Sequence, residues 1–159
     1  MQIVAFEQQF SAIISTAIKN NWQRYCIHEI NANGITYGDF GNKMMAVYKF
    51  LQLKNVQPND KVILIAPNSI DWCVIYLAVI TYGAVIVPLS PVLPVDHIYN
   101  LLNHSEAKIA IVSDDIKDKI IESDVLERQI SIISLSDEAI YSAHVVNIPL
   151  LGRLKSGQK

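Results

Sequence analysis

Cysteine is nearly absent from this sequence, and so is concentrated charge. The two cysteines, Cys26 and Cys73, are too few for a disulfide scaffold and too far apart for a C-x-x-C pair. A small stapled secreted domain is excluded, and a reducing, cytoplasmic setting is expected. Charged residues make up 18% of the chain and the net charge is −2. No Lys/Arg cluster interleaved with aromatics appears, so an electrostatic nucleic-acid footprint is excluded. With 51% apolar residues, a disordered chain is excluded too. The start, MQIVAFEQQF, lacks a basic segment leading into an apolar run, so no secretory signal is expected. The sequon Asn103-His104-Ser105 is then expected to be idle.

One long stretch has no charge of either sign. From Trp72 to Val95 no Asp, Glu, Lys or Arg occurs. Length alone would let it cross a bilayer. Its flanks are Asp71 and Asp96 rather than Lys or Arg, which gives no orientation signal. Gly83 divides it, and Pro88, Pro91 and Pro94 crowd the second half. The spacing predicts a helix over Ile70–Tyr82, capped by Ser69, with Asp71 in the first turn and Gly83 as a left-handed stop. Ala84-Val85-Ile86-Val87 then reads as a buried strand closed by Pro88. An all-apolar strand fits a central parallel sheet covered on both faces. No transmembrane segment is therefore expected.

The pattern recurs along the chain. Val62–Ala66, Lys108–Val112 and Gln129–Leu135 are further strand candidates. Helical segments over Asp96–Asn103 and from Ile116 to Glu122, reaching toward Leu126, lie between them. This alternation predicts an α/β fold: a parallel-core sheet flanked by helices in right-handed βαβ units. The connecting helices share no motif, which opposes a solenoid. Ahead of this lie an N-terminal helix and a β-hairpin. Phe6, Phe10, Ile13, Ile14, Ala17 and Ile18 fall at helical spacing. Tyr25–Ile30 and Ile35–Tyr37 read as strands joined by a two-residue Asn33-Gly34 turn. Thr36 is placed to cap a following helix, with Asp39 as capping-box partner. The expected domain is residues 1–150, with a polar flexible tail over 151–159.

In that order, five segments carry a resemblance: Ile35-Thr36-Tyr37-Gly38-Asp39-Phe40; Pro58-Asn59-Asp60-Lys61-Val62; Pro67-Asn68-Ser69-Ile70-Asp71-Trp72; Tyr82 to Leu89; and His104-Ser105-Glu106-Ala107-Lys108. The set resembles the N-terminal part of the adenylate-forming superfamily, which includes acyl-CoA and aryl-CoA ligases, luciferases and peptide-synthetase adenylation domains. The likeness runs from Gly34 to Asp114. Tyr82-Gly83-Ala84 with Asn103 to Lys108 leans toward long-chain fatty acid–CoA ligases. The resemblance implies a partial adenylate-forming fold. For the full-length enzyme it implies ATP, Mg²⁺ and coenzyme A: carboxylate adenylation, then thioesterification. The family's Ser/Thr/Gly-rich phosphate loop ending in Pro-Lys-Gly, its acidic Mg²⁺ ligand, its ribose-binding Asp and its catalytic Lys match no position here. The chain is thus expected to be an inactive N-terminal fragment that contributes no catalytic, cofactor-binding or metal residue. Its expected partner is the remainder of the enzyme, with self-association through an exposed apolar patch. A free-standing doubly wound module that binds a small ligand or a protein is the alternative.

Other candidates read as structural. Gly152 and Gly157 have P-loop spacing, but Gln158-Lys159 stands where Lys-[Ser/Thr] is required. No G-x-G-x-x-G follows a strand. His97 and His104 could share a helix face, yet a metal site needs three or four ligands, and neither His28 nor His144 is close in sequence. Cys73 sits in an apolar helix, the setting of an inert thiol. Asp114, beside Asp115 after a strand, reads as a helix cap. Trp72, Tyr76 and Tyr82 read as core, since no basic groove accompanies them.

Overall fold

A computed structural model describes residues 2–30, 33–121 and 130–141. Helix α1, Gln2–Asn20, leads into strands β1, Tyr25–Ile27, and β2, Ile35–Thr36, which pair antiparallel. Ile14 and Ile18 turn inward from α1, but Ile13 is 64% exposed. The apolar face is therefore narrower than the spacing predicts.

The expected two-residue hairpin turn does not form. Gly34 does not adopt the positive φ that a type I′ turn needs at its second position. The pairing stops at Ile27, so the connection starts at His28, and the ladder carries an irregularity. Gly34 is needed for another reason: a Cβ there would lie 2.5 Å from both the Ile27 carbonyl oxygen and His28 Nδ1. The close approach of two chain segments, and not the turn, excludes a side chain at this position.

Helix α2, Tyr37–Leu53, starts as its sequence dictates. The Thr36 hydroxyl oxygen accepts from the Asp39 backbone N–H at 3.1 Å, and Asp39 Oδ2 accepts from the Thr36 backbone N–H at 3.2 Å. That closes the capping box. Helix α3, Ile70–Tyr82, is capped by Ser69, whose Oγ accepts from Trp72 N–H at 3.1 Å. It ends at Gly83 with φ 94°, a left-handed cap.

Four parallel strands form the core: β3, Lys61–Ile65; β4, Val85–Leu89; β5, Ile109–Val112; and β6, Ser131–Ser134. Their order is β4-β3-β5-β6. Val62, Leu64, Ile109, Ile111 and Ile133 pack against α1, α2 and α3 on one face. On the other, Ile63, Ile65, Ala110 and Val112 meet α4, Val95–His104, and α5, Asp114–Ile121. Both faces of β3 and β5 are covered, which is why those strands carry no polar alternation. A short α6, Glu138–Tyr141, follows β6 and packs on α2.

Pro88 does not close β4, which runs on to Leu89. Val85 N–H donates to the Asp60 carbonyl on the β3 side at 2.9 Å. Residues at alternate positions then turn their amides to β3, while Ile86 and Pro88 turn theirs outward. On an edge strand the missing N–H of Pro88 removes no ladder bond.

Candidate functional site

Chain order sets where a ligand could meet this sheet. From β3 the chain steps to β4 on one side, then crosses to β5 and β6 on the other. The reversal leaves a crevice at the carboxyl ends of the strands, the usual ligand position in open α/β sheets. Here a groove of about 410 Å³ opens, lined by Ala66, Pro67 and Asn68 after β3, Trp72 of α3, and Pro88 to Pro91 at the end of β4. Trp72 stacks on Tyr76 at 4.9 Å between ring centroids and 14° between planes. That fixes the indole as a rigid wall. Among the described residues no acidic or basic side chain lines the groove. Its described lining can shape and exclude, and its polar side chains are the Asn68 amide and the Ser90 hydroxyl.

The carboxyl ends of β5 and β6 carry the polar groups. Asp114 does not cap α5 with its side chain. Its carboxylate accepts instead from the hydroxyls of Ser134 and Ser136, the latter at 2.8–2.9 Å. The Ser134 hydroxyl first, then that of Ser136, holds the Asp114 carboxyl below the usual carboxylate range. This ties α5 to β6 across a sequence gap that no local pattern reveals.

A second node sits above α3. Lys43 Nζ meets Asp71 Oδ1 at 2.8 Å, and the Tyr141 hydroxyl donates to the same oxygen at 3.0 Å. The ammonium lies 4.2 Å from the Tyr141 ring centroid. Burial first, then the Asp71 charge, pushes the Tyr141 hydroxyl strongly upward. Asp71 was expected only as a first-turn charge; it also fastens α2 and α6.

The remaining candidates do not converge. His97 and His104 are exposed on α4, and His97 Nε2 lies 3.9 Å from Asp96 Oδ2. Among the described residues no three His, Cys, Asp or Glu side chains group as a metal set. Cys26 and Cys73 are half-buried free thiols, and burial pushes both upward. Tyr82 donates to the Val56 carbonyl at 2.8 Å, and its ring meets that of Tyr48 edge-on. Asn103 has a buried Oδ1. His144 and the Gly152–Lys159 segment lie outside the described residues. No described helix is long and apolar enough to cross a membrane.

A family model described as AMP-binding enzyme matches residues 16–149. Gramicidin S synthase 2 of Brevibacillus brevis is 25% identical over 119 residues, covering 75% of this chain and 2% of that protein. The fold matches a benzoate CoA ligase from Burkholderia xenovorans LB400 with a TM-score of 0.75 at 18% identity, over 84% of this chain and 28% of that one. A Mycobacterium tuberculosis fatty acyl CoA synthetase matches with a TM-score of 0.77 at 17% identity, over 89% and 30%. The chain thus spans under a third of each of these proteins.

Proposed function

This chain belongs to the AMP-binding enzyme family, and on that premise we propose that it is the N-terminal part of a cytoplasmic ligase that activates a carboxylic acid as its adenylate. Its own role is scaffolding: it supplies one wall of a larger cleft. The observation that carries this reading is the family match over 16–149 on a sheet whose carboxyl-end groove has no charged lining. ATP, Mg²⁺ and coenzyme A belong to the whole enzyme. The groove offers them no cation or carboxylate, and the described residues form no metal set. The residues that hold the nucleotide and metal are proposed to lie in other parts of the enzyme.

For the acid, Tyr82-Gly83-Ala84 and Asn103 to Lys108 favour a long-chain fatty acid, with thioesterification to coenzyme A as the second step. A second reading is favoured by the peptide-synthetase relative that covers three quarters of this chain: an amino acid passed to a carrier. The proposed partner is the remainder of the enzyme. Where that is lacking, the half-open apolar strand β4, with Val85 44% exposed, supports self-association.

The test is ATP–pyrophosphate exchange on this chain alone, with palmitate and with a mixture of amino acids. Background rates are expected with both. Clear exchange with either would sink the scaffold reading and identify the acid class.

A further inference from the structure

The first turn of a helix has backbone N–H groups that need acceptors from outside it. In α3 two of them are met in different ways. The Trp72 N–H goes to the Ser69 hydroxyl oxygen at 3.1 Å, a local cap. The Ile70 N–H goes to Glu29 Oε1 at 2.7 Å, from a residue 41 positions earlier in the chain. Glu29 follows β1, is exposed, and does not line the groove. The turn it holds stands between two parts of the groove wall: Asn68 precedes Ser69, and Trp72 follows Asp71. The side chain of Asp71 is held as well, by Lys43 of α2 at 2.8 Å and by Tyr141 of α6 at 3.0 Å. Backbone and side chain of this one turn are therefore tied to three distant segments, and the next residue is the indole of the groove.

We propose that Glu29 is a positioning residue for the groove: its carboxylate oxygen fixes the start of α3 and, through it, the place of Trp72. This rests on the reading of the groove as one wall of the ligase cleft. The bond from Ile70 N–H is charge-assisted, which makes it short and directional. The carboxylate also meets the positive end of the helix. Without that acceptor the Ile70 N–H turns to water, and the first turn keeps only Ser69 as its backbone cap. Trp72 lies in that turn and stacks on Tyr76 one turn further on, at 4.9 Å between centroids. A shift of the turn therefore slides the indole against a ring that stays in place. The segment after β1 acts on the groove in this way without lining it.

The test is fluorine NMR on the whole chain carrying fluorotryptophan. The two tryptophans, Trp22 and Trp72, give one resonance each, and loss of a signal in Trp72→Phe assigns them. Trp22 packs over Gly38, where a Cβ would lie 2.7 Å from its ring, and so reports on the fold apart from the groove. Glu29→Ala is expected to shift or broaden the Trp72 resonance and leave that of Trp22 in place. Glu29→Gln keeps an acceptor oxygen at the same reach and is expected to restore the parent position of Trp72. A Trp72 resonance unmoved by Glu29→Ala overturns the proposal. So does a common change of both resonances, which marks general loosening, or a Glu29→Gln chain that behaves as Glu29→Ala. The readout needs neither ligand nor turnover, so its failure is distinct from any result of the pyrophosphate exchange assay.

Discussion

The Tyr141 hydroxyl donates to Asp71 across 70 residues of sequence, on the same carboxylate oxygen that Lys43 holds from α2. Three helices thereby share one acceptor. The Lys43–Asp71 pair is about two thirds buried on each side, so its worth lies above that of a fully exposed pair but well short of its Coulomb energy in a dry site. Tyr141→Phe removes one donor and leaves the ion pair. It should cost about 1 kcal/mol in urea unfolding. Asp71→Ala strands Lys43 and Tyr141 together and should cost more than Tyr141→Phe. Equal costs would show that the Lys43–Asp71 pair adds nothing beyond the phenol's hydrogen bond.

Alkaline pH should act through the same phenol. Burial, the Asp71 charge and the bond to Asp71 all raise the Tyr141 pKa, and burial raises that of Tyr48 despite its bond to Thr81. A phenol kept protonated in the fold contributes stability that is complete below the ordinary tyrosine pKa of about 10. It is lost as pH climbs past that value, because the unfolded chain releases the proton first. Unfolding midpoints should therefore fall above pH of about 10, and tyrosinate absorbance should show the Tyr141 phenol ionising together with unfolding. Ionisation of Tyr141 in the still-folded chain near pH of about 10 would contradict this.

Gly83 tests the helix-to-strand junction. Its φ of 94° is left-handed, and an added Cβ would meet only Pro58 Cβ, at 3.7 Å. The cost of Gly83→Ala is then backbone strain rather than collision, about 1–2 kcal/mol. Gly83→Asn should cost less, since Asn tolerates that region. Equal losses in thermal unfolding would point to a steric cause instead.

Two apolar strands that read alike should respond differently. Ile111 of β5 is fully buried, so Ile111→Ala should cost about 2–5 kcal/mol. Val85 of β4 is 44% exposed, and Val85→Lys should leave the unfolding midpoint nearly unchanged while lowering apolar-dye binding and self-association. A large stability loss from Val85→Lys would mean that this edge is already covered.

Acid should loosen the charged ties. Side-chain bonds from Lys108 and Ser134 respectively lower the carboxyl groups of Asp60 and Asp114. Each contributes stability that is present above the ordinary Asp pKa of about 3.9 and is lost as pH falls through its lower folded value. Asp60→Asn should flatten the acid limb of the stability profile. An unchanged limb would rule out the Lys108–Asp60 contact, 2.7 Å long, as a contributor.

Local chemistry made much of this legible. The Thr36 and Ser69 caps, the Gly83 stop and the limits of α3 are decided within a few residues by hydrogen-bonding side chains and one permissive backbone. The Asn33-Gly34 turn failed because the approach of Ile27 and His28, not turn preference, sets the loop. Pro88 misled because a missing N–H closes a strand only where a neighbour needs it. Asp114 left its cap for Ser134 and Ser136, and α6 gave no periodic signal in its four residues.

The sequence by itself determined that the uncharged ribbon after Asp71 breaks at Gly83 into helix and strand, since backbone preference and burial period act over short range. Only the tertiary structure decided that β4 lies at the sheet's edge while the equally apolar β3 and β5 are sealed. Strand order depends on which crossover buries more surface, and that sum runs over residues far apart in the chain.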